Sequence, residues 1–112
     1  IGPKETKEEL KDINIPVKYN TKKNQDEWFS VEKDSKYGIK VEMRNDLSTL
    51  AQSSCNLLLN DQLIYTLQLN GNGNKWTSRH TINVELEKGH YHLKIDFRKP
   101  GLEIGTITFI KL

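Results

Sequence analysis

The sequence predicts an all-β protein, built as a two-sheet antiparallel sandwich. Residues 37–43 place apolar side chains at every second position, which is the pattern of a strand with one buried and one solvated face. About eight short runs of this kind follow one another, joined by short turns and a few longer loops. Outside residues 1–12, no ten-residue window shows the 3.6-residue period of an amphipathic helix.

Size and charge limit the class of protein. The chain has 112 residues, enough for one domain that buries roughly two-thirds of the surface its unfolded chain exposes. Its 17 basic and 15 acidic residues are spread along the whole length and give a net charge of +2. Because nucleic acids and anionic lipid surfaces both require a concentrated basic patch, neither is an expected partner. No run of about 18 apolar residues is present, so no membrane-spanning helix is expected.

The chain begins with a charged segment. Residues 1–12 contain Leu10 as their single large apolar side chain after Ile1, and an isolated helix this short is marginal in water. We interpret residues 1–12 as a linker or N-terminal arm and residues 13–112 as the β-sandwich domain. Because the sequence opens without a methionine, we expect it to be a mature or excised piece of a longer protein.

The strands follow in order from residue 13. Alternating apolar residues predict a first strand over 13–19, and Pro16 places it at a sheet edge or end because proline lacks the N–H that a central strand must donate. In the next strand the rings of Trp28 and Phe29 face opposite ways, and we expect Trp28 to belong to the core. The strands are predicted over residues 27–32, 37–43, 55–59, 63–69, 81–86 and 91–97, with a last one from residue 102.

Turn residues refine this pattern. Asn60 and Asp61 lie between two strands and are typical of a two-residue hairpin. The leucines of the strand over 63–69 share one parity, so we expect them to be buried together. The apolar residues before and after Gly105 have opposite parity, and a bulge at Gly105 would turn both sets to the same face.

Two polar loops form the candidate binding region. Residues 70–75 alternate asparagine with glycine and are closed by Trp76, while residues 99–101 form a second loop. We expect these loops to meet at one edge of the sandwich. An indole facing water there would be an apolar platform of the kind on which sugars stack, with Asn72 and Asn74 beside it to bind hydroxyl groups. The alternative is that Trp76 caps the end of the core.

Other chemical signatures are weaker. The sequence has no Gly-x-Ser-x-Gly elbow and no phosphate-binding glycine loop, so an enzyme is the least favoured class. His90 and His92 share a strand face with Asp96, which could suit zinc, but charged residues opposite an apolar stripe are more simply a solvated face. The asparagine–glycine loop lacks the carboxylates of a calcium site and is interpreted as a flexible turn. Cys55 is expected to be a small buried hydrophobe rather than a catalytic thiol.

Six short segments share their order and spacing with a known family. They are DxWFSV from Asp26, KYGIKV from Lys36, LLLN from Leu57, WT at Trp76, VxLxKGHxxLxI from Val84 and GLEIxxI from Gly101. Together they resemble the carbohydrate-binding modules of families 6 and 35 over about residues 26–110. The resemblance implies a galactose-binding-like β-sandwich with jelly-roll topology, usually appended to a secreted glycoside hydrolase.

The same resemblance implies where a sugar would bind. In that family a terminal sugar lies between two aromatic rings at the strand-joining loops, and an asparagine in the last loop bonds its hydroxyls. Trp76 matches one ring, Tyr19 is the residue that could supply the other, and Glu103 occupies the asparagine position. The family's structural calcium usually uses a glutamate of the first strand, and the strand over 13–19 has none, so no cofactor is expected.

We therefore expect a non-catalytic carbohydrate-binding module, secreted or periplasmic as the resemblance implies. Its partners would be an oligo- or polysaccharide and a neighbouring catalytic domain. The expected site consists of Trp76 as the platform, Asn72, Asn74 and Glu103 for hydroxyl groups, Tyr19 as a second wall, and Arg79 for an acidic glycan, with no metal. The alternative is a structural accessory β-sandwich that packs on a catalytic domain and binds no sugar.

Overall fold

The computed structural model describes residues 12–17, 25–46, 52–98 and 101–112, so nearly all of the arm expected over 1–12 lies outside it. None of the described residues forms a helix long and apolar enough to cross a bilayer. The described strands are β1 (Ile13–Pro16), β2 (Gln25–Val31), β3 (Ser35–Asn45), β4 (Gln52–Leu59), β5 (Gln62–Asn70), β6 (Thr77–Leu86), β7 (Gly89–Phe97) and β8 (Leu102–Lys111).

The strands form two four-stranded antiparallel sheets. Sheet A has the order β1-β8-β3-β6, and sheet B has the order β2-β7-β4-β5. The first strand therefore pairs with the last, and the chain changes sheet at every connection except the hairpin between β4 and β5. This strand order is the jelly roll, so the predicted fold class and topology are confirmed.

The core lies between the facing apolar sides of the two sheets. In β3, alternate residues from Tyr37 to Met43 form a buried apolar face, as the alternation predicts. Phe109 of β8 is fully buried, and its ring centroid lies 4.9 Å from that of Phe29 in the opposite sheet and 6.2 Å from that of Tyr37. The three rings therefore join both sheets. We call the side of each sheet that points away from the other its outer face.

Two predicted irregularities are confirmed. Asn60 and Asp61 both have positive φ, 50° and 67°, as a type I′ hairpin requires. Between the pairs Val41–Ile107 and Met43–Ile104, two steps along β3 oppose three along β8. The extra residue of β8 falls at Gly105–Thr106, which lets the apolar residues on both sides of Gly105 face the core.

One leucine of β5 does not follow its predicted face. Leu67 and Leu69 are buried, but Leu63 is 55% exposed. The register of β5 shifts by one residue opposite the step from Leu57 to Leu58, so β5 also contains a bulge. An extra residue in a strand reverses which sheet face each side chain beyond it points to. Leu63 therefore points to the outer face of sheet B.

The expectation that Trp28 belongs to the core is wrong. Trp28 is 73% exposed and lies on the outer face of sheet B. Its neighbour Phe29 takes the core side instead and stacks on Tyr91 with a centroid distance of 5.5 Å. Only one of two adjacent strand residues can face the interior, and alternation alone does not say which one.

Cys55 is fully buried in β4, as expected for a small core residue. Burial, and secondarily the negative charge of Asp96, raise the pKa of its thiol from 9.0 to about 12. The unfolded chain therefore loses this proton at lower pH than the folded protein does. The contribution of the thiol to stability is complete below pH 9 and is lost as the pH rises towards 12.

We expect the free energy of unfolding to fall between pH 9 and 12 more steeply for the native protein than for Cys55→Ala. Denaturant unfolding at several pH values in this range measures the free energy of unfolding of both proteins. Subtracting one value from the other removes the contribution of the other titrating groups. At pH 8 the folded protein should react slowly with a thiol reagent, because the thiolate is the reactive form. Rapid labelling without unfolding would contradict this assignment.

Candidate functional site

The two predicted loops meet at the end of β3, as expected. The carbonyl oxygen of Asn45 accepts hydrogen bonds from the N–H groups of Asn72 (3.2 Å) and Asn74 (3.1 Å). The next residue, Asp46, has its N–H 3.4 Å from the carbonyl oxygen of Gly101 in the second loop. Two turns that are far apart in sequence thus share one anchor at the rim of the sandwich.

Asn72 shapes the first loop through its side chain. Its Oδ1 accepts from the backbone N–H groups of Asn45 (3.1 Å) and Lys75 (3.3 Å), and its Nδ2 donates to the carbonyl oxygen of Lys75 (2.9 Å). Gly73 and Asn74 adopt left-handed φ angles of 71° and 61°, as expected for this turn. The Asn72 amide is therefore engaged within the protein, whereas the side chain of Asn74 is exposed.

Trp76 faces water at the start of β6. It is 42% exposed, so it does not cap the core as a buried ring, and its role as a platform stays a prediction. The guanidinium carbon of Arg44 lies 4.4 Å from the centroid of its ring. Arg44 alternates with buried Met43 and Asn45 in β3, which places it on the outer face of sheet A. Because Arg44 covers one side of the indole, the exposed area lies mainly on the other side.

Arg44 holds the site together, and no local pattern in the sequence identifies it. Arg44 and Glu103 are direct partners across the β3–β8 register, and Arg44 Nε donates to Glu103 Oε1. Both side chains are about three-quarters buried, at 26% and 25% exposure, so this pair is less weakened by solvent than a surface pair. Glu103 is therefore the partner of a cation that stacks on Trp76, not a lone carboxylate beside it.

Gly105 gives the indole its room. A Cβ at this position would lie 3.3 Å from Cζ3 of Trp76 and would overlap the carboxylate of Glu42. The absence of a side chain on the bulge of β8 thus lets the ring extend from β6 across β3 to β8. Gly105 has a second role, because the bulge there lets the apolar residues on both sides of it point into the core.

We expect Gly105→Ala to displace the Trp76 ring and the Glu42 carboxylate at a cost of about 1 kcal/mol in stability. The carboxylate is the end of a flexible side chain and can move, while the ring edge has less freedom. Near-ultraviolet circular dichroism should change in the tryptophan bands, and denaturant unfolding gives the stability. Thr106→Ala is the matched control; equal spectra for the native protein and Gly105→Ala would contradict this account.

The remaining candidates lie in different places. Arg79 pairs with Val41 in register, which puts it on the opposite side of β6 from the Trp76 platform, and its Nη1 donates to the carbonyl oxygen of Gln68 (2.8 Å). Arg79 therefore ties the edge strands of the two sheets together. Tyr19 lies outside the described residues.

The histidines of β7 face sheet B's outer side and do not gather with Asp96. His92 hydrogen-bonds Asp26 (2.6 Å) and His90 hydrogen-bonds Ser30 (2.9 Å). Within the part of the chain that the structure describes, no three His, Cys, Asp or Glu side chains are grouped closely enough to hold a metal ion.

Solved structures with a similar fold include modules of carbohydrate-active enzymes. A β-glucosidase from Paenibacillus barengoltzii is 34% identical over 88% of this chain, with a TM-score of 0.76, and the chain spans 10% of that enzyme's length. A family 35 carbohydrate-binding module from Clostridium thermocellum is 12% identical, with 88% of this chain and 87% of that chain covered and a TM-score of 0.62. The GH26-CBM35 β-(1,4)-mannanase of Podospora anserina is 12% identical, with coverage of 91% and 28% and a TM-score of 0.72.

No family model and no curated protein matches the sequence. The similarity to known proteins therefore lies in the fold, together with one-third identity to a small part of one β-glucosidase.

Proposed function

We propose that this domain, which has the fold of family 35 carbohydrate-binding modules, binds an oligo- or polysaccharide and performs no catalysis itself. The observation that carries the proposal is the solvent-facing indole of Trp76, 42% exposed at the rim where two loops meet. An exposed ring at a fixed orientation is the feature that stacking against the apolar C–H face of a sugar requires.

The neighbours of Trp76 supply the polar part of such a site. Asn74 is exposed two residues before the ring, and Glu103 is held by Arg44 next to it. These two groups are the proposed partners of the sugar hydroxyls. Asn72 instead holds the loop in shape, and we assign it a supporting role.

We further propose Tyr19 as the second wall. The N–H of Val17 donates to the carbonyl oxygen of Gly105 (2.7 Å), and Gly105 lies beneath the edge of Trp76. Val17, two residues before Tyr19 in the sequence, is therefore held beside the platform. On this proposal Tyr19→Ala weakens sugar binding, and calorimetric titration of the variant against the native domain measures the loss.

By analogy with the hydrolases that contain a similar domain, we propose that this one is secreted with a neighbouring catalytic domain. Calorimetric titration with soluble cello-, xylo-, manno- and galacto-oligosaccharides and their uronic acid counterparts tests the function. Heat with at least one glycan, accompanied by a shift in tryptophan fluorescence, is the expected result. No response across the panel would overturn it and favour an accessory domain that packs on a catalytic domain.

A further inference from the structure

A groove lies at the end of the sandwich opposite Trp76. Strand β6 begins at Thr77, next to that ring, and ends at Leu86, and its ten residues span about 30 Å because a strand rises 3.2–3.4 Å per residue. Two adjoining depressions of about 410 and 440 Å³ meet at this end and share Glu85, Leu86 and Glu87. We call the two together the β6-end groove. It is as large as many ligand sites and well separated from the sugar site.

The groove forms where the sandwich is open along one side. β5 and β6 are edge strands of different sheets and do not pair with each other. Near Trp76 the gap between them is bridged by Arg79, which donates to the carbonyl oxygen of Gln68. Towards the other end the gap is lined by Ile64 of β5 and Val84 of β6, both half-buried. An unpaired strand edge beside partly exposed apolar side chains is a surface that another polypeptide segment can cover.

The rim of the groove carries more negative than positive charge. Three carboxylates line it, those of Asp34, Glu85 and Glu87, against the single ammonium of Lys36. Lys36 Nζ lies 3.6 Å from Glu85 Oε2, whereas Asp34 and Glu87 form no ion pair within the described part of the chain. Lys88 follows in the turn but lines a different depression. The whole chain has a net charge of +2, so this negative rim is a local feature.

Hydrogen bonds hold the rim in place. The hydroxyl of Tyr91 donates to the carbonyl oxygen of Glu87 (2.7 Å). The N–H of Lys88 donates to Oδ1 of Asp34 (2.8 Å), which joins the turn after β2 to the turn after β6. Because the backbone around the groove is fixed in this way, covering it costs little conformational entropy.

Both ends of the described chain lie beside the groove. The N–H of Leu112 donates to the carbonyl oxygen of Lys36 (3.0 Å), a residue that lines the groove. Oδ1 of Asp12 accepts from the N–H of Lys111 (2.8 Å). A domain joined to either end would therefore start next to the groove, at a high effective concentration, and would leave Trp76 facing away from it.

We propose that the β6-end groove docks the neighbouring catalytic domain, through a segment of that domain that presents an apolar side chain flanked by lysine or arginine. The inference rests on the proposed function, because it assumes the catalytic neighbour proposed there. The apolar side chain lies between Ile64 and Val84, and the basic groups meet Asp34 and Glu87 at the rim. Interfaces between domains of one chain are small and rather polar, which suits this composition. Docking fixes the direction in which the sugar site points.

A glycan is the competing occupant of the groove. Stacking of a sugar requires an exposed ring, and the only ring among the described lining residues is that of Tyr91. It is half-buried, and its hydroxyl is engaged by the carbonyl oxygen of Glu87. The carboxylates of Asp34 and Glu87 would also repel an acidic glycan. The composition of the groove therefore favours a basic segment of protein.

Hydrogen–deuterium exchange on the full polypeptide, with its catalytic domain attached, tests the proposal. At low salt we expect the backbone amides of residues 62–64 and 84–87 to be protected by the docked segment. Glu87→Lys reverses one charge of the rim without touching the core, and these amides should then exchange at least about threefold faster. Raising the salt to about 0.5 M should have the same effect on the native polypeptide, because screening weakens attraction between charges at a surface.

Glu32→Lys is the matched control, because Glu32 is an exposed glutamate at the same end of the sandwich and lines a different depression. Its amides should exchange as those of the native polypeptide do. Calorimetric titration with the glycan panel should give the same affinity for Glu87→Lys as for the native polypeptide, since the sugar site lies at the other end.

The two proposals fail separately. If Glu87→Lys leaves exchange unchanged while the native polypeptide binds glycan, docking is refuted and sugar binding stands. If Glu87→Lys accelerates exchange but the native polypeptide binds no glycan, docking stands and sugar binding is refuted. Protection that appears only after glycan is added would make a sugar the occupant. A dimer in sedimentation that Glu87→Lys converts to a monomer would make a second copy the occupant. Either result would overturn the docking of a catalytic domain.

Discussion

Replacing Trp76 with alanine should remove the part of the glycan-induced fluorescence shift that arises from this indole and weaken binding to soluble oligosaccharides by at least about tenfold. Among the described residues the indole is the one large apolar surface at the junction of the two loops, and covering it with a sugar removes that surface from water. Loss of an apolar contact of this size costs about 1.5–3 kcal/mol, and each 1.4 kcal/mol is a factor of ten in affinity. Isothermal titration calorimetry on the native domain and the variant measures the difference.

The design of this experiment separates binding from folding. Because Trp76 is 42% exposed and belongs to the rim, its removal should leave thermal unfolding almost unchanged. Ser78→Ala is the control, since Ser78 is exposed on the same side of β6. Arg44→Ala should fall between the two, because it keeps the indole but removes the guanidinium that holds it. Native affinity in Trp76→Ala would mean that the indole is not the platform.

Phe109→Ala should cause the largest loss of stability, about 3–5 kcal/mol. Domains of this size are stable by about 5–15 kcal/mol, so the variant is expected to be close to unfolding at physiological temperature. Phe109 is fully buried and contacts rings of both sheets, those of Phe29 and Tyr37. Its truncation would leave a cavity at the point where the two sheets are joined.

Urea unfolding followed by far-ultraviolet circular dichroism measures this loss. Leu112→Ala, three residues away and 56% exposed in the native protein, should change the free energy of unfolding by no more than about 0.5 kcal/mol. A loss below about 1 kcal/mol for Phe109→Ala would show that the core can collapse around the missing ring. In that case the three-ring contact would not be what holds the sheets together.

Most of the fold could be predicted because strand periodicity is a local property. The alternation from Tyr37 to Met43 shows which face of this strand is buried without reference to any other part of the chain. The hairpin at Asn60–Asp61 follows from the tolerance of these residues for positive φ. The bulge at Gly105 is visible as a change of parity on either side of a glycine.

The site could be predicted only in part. Trp76 and the two loops are identifiable because a tryptophan next to a glycine-rich polar loop stands out in the sequence. Arg44 is not, since its role comes from facing Glu103 across 59 residues of sequence, a relation that only the β3–β8 register creates. Asn72 has the right chemistry for a ligand but is engaged by the Asn45 backbone, and no local pattern shows this.

Local patterns of residues are enough to predict a β-sandwich, the positions of its turns and the loop that carries an indole. Each of these depends on residues within a few positions of one another. Only the assembled sheets turn Trp28 towards water and Phe29 towards the core, and only they bring the guanidinium of Arg44 against Trp76. Both features depend on which strands lie next to each other in a sheet. Hydrogen bonds between strands that are distant in sequence determine that order.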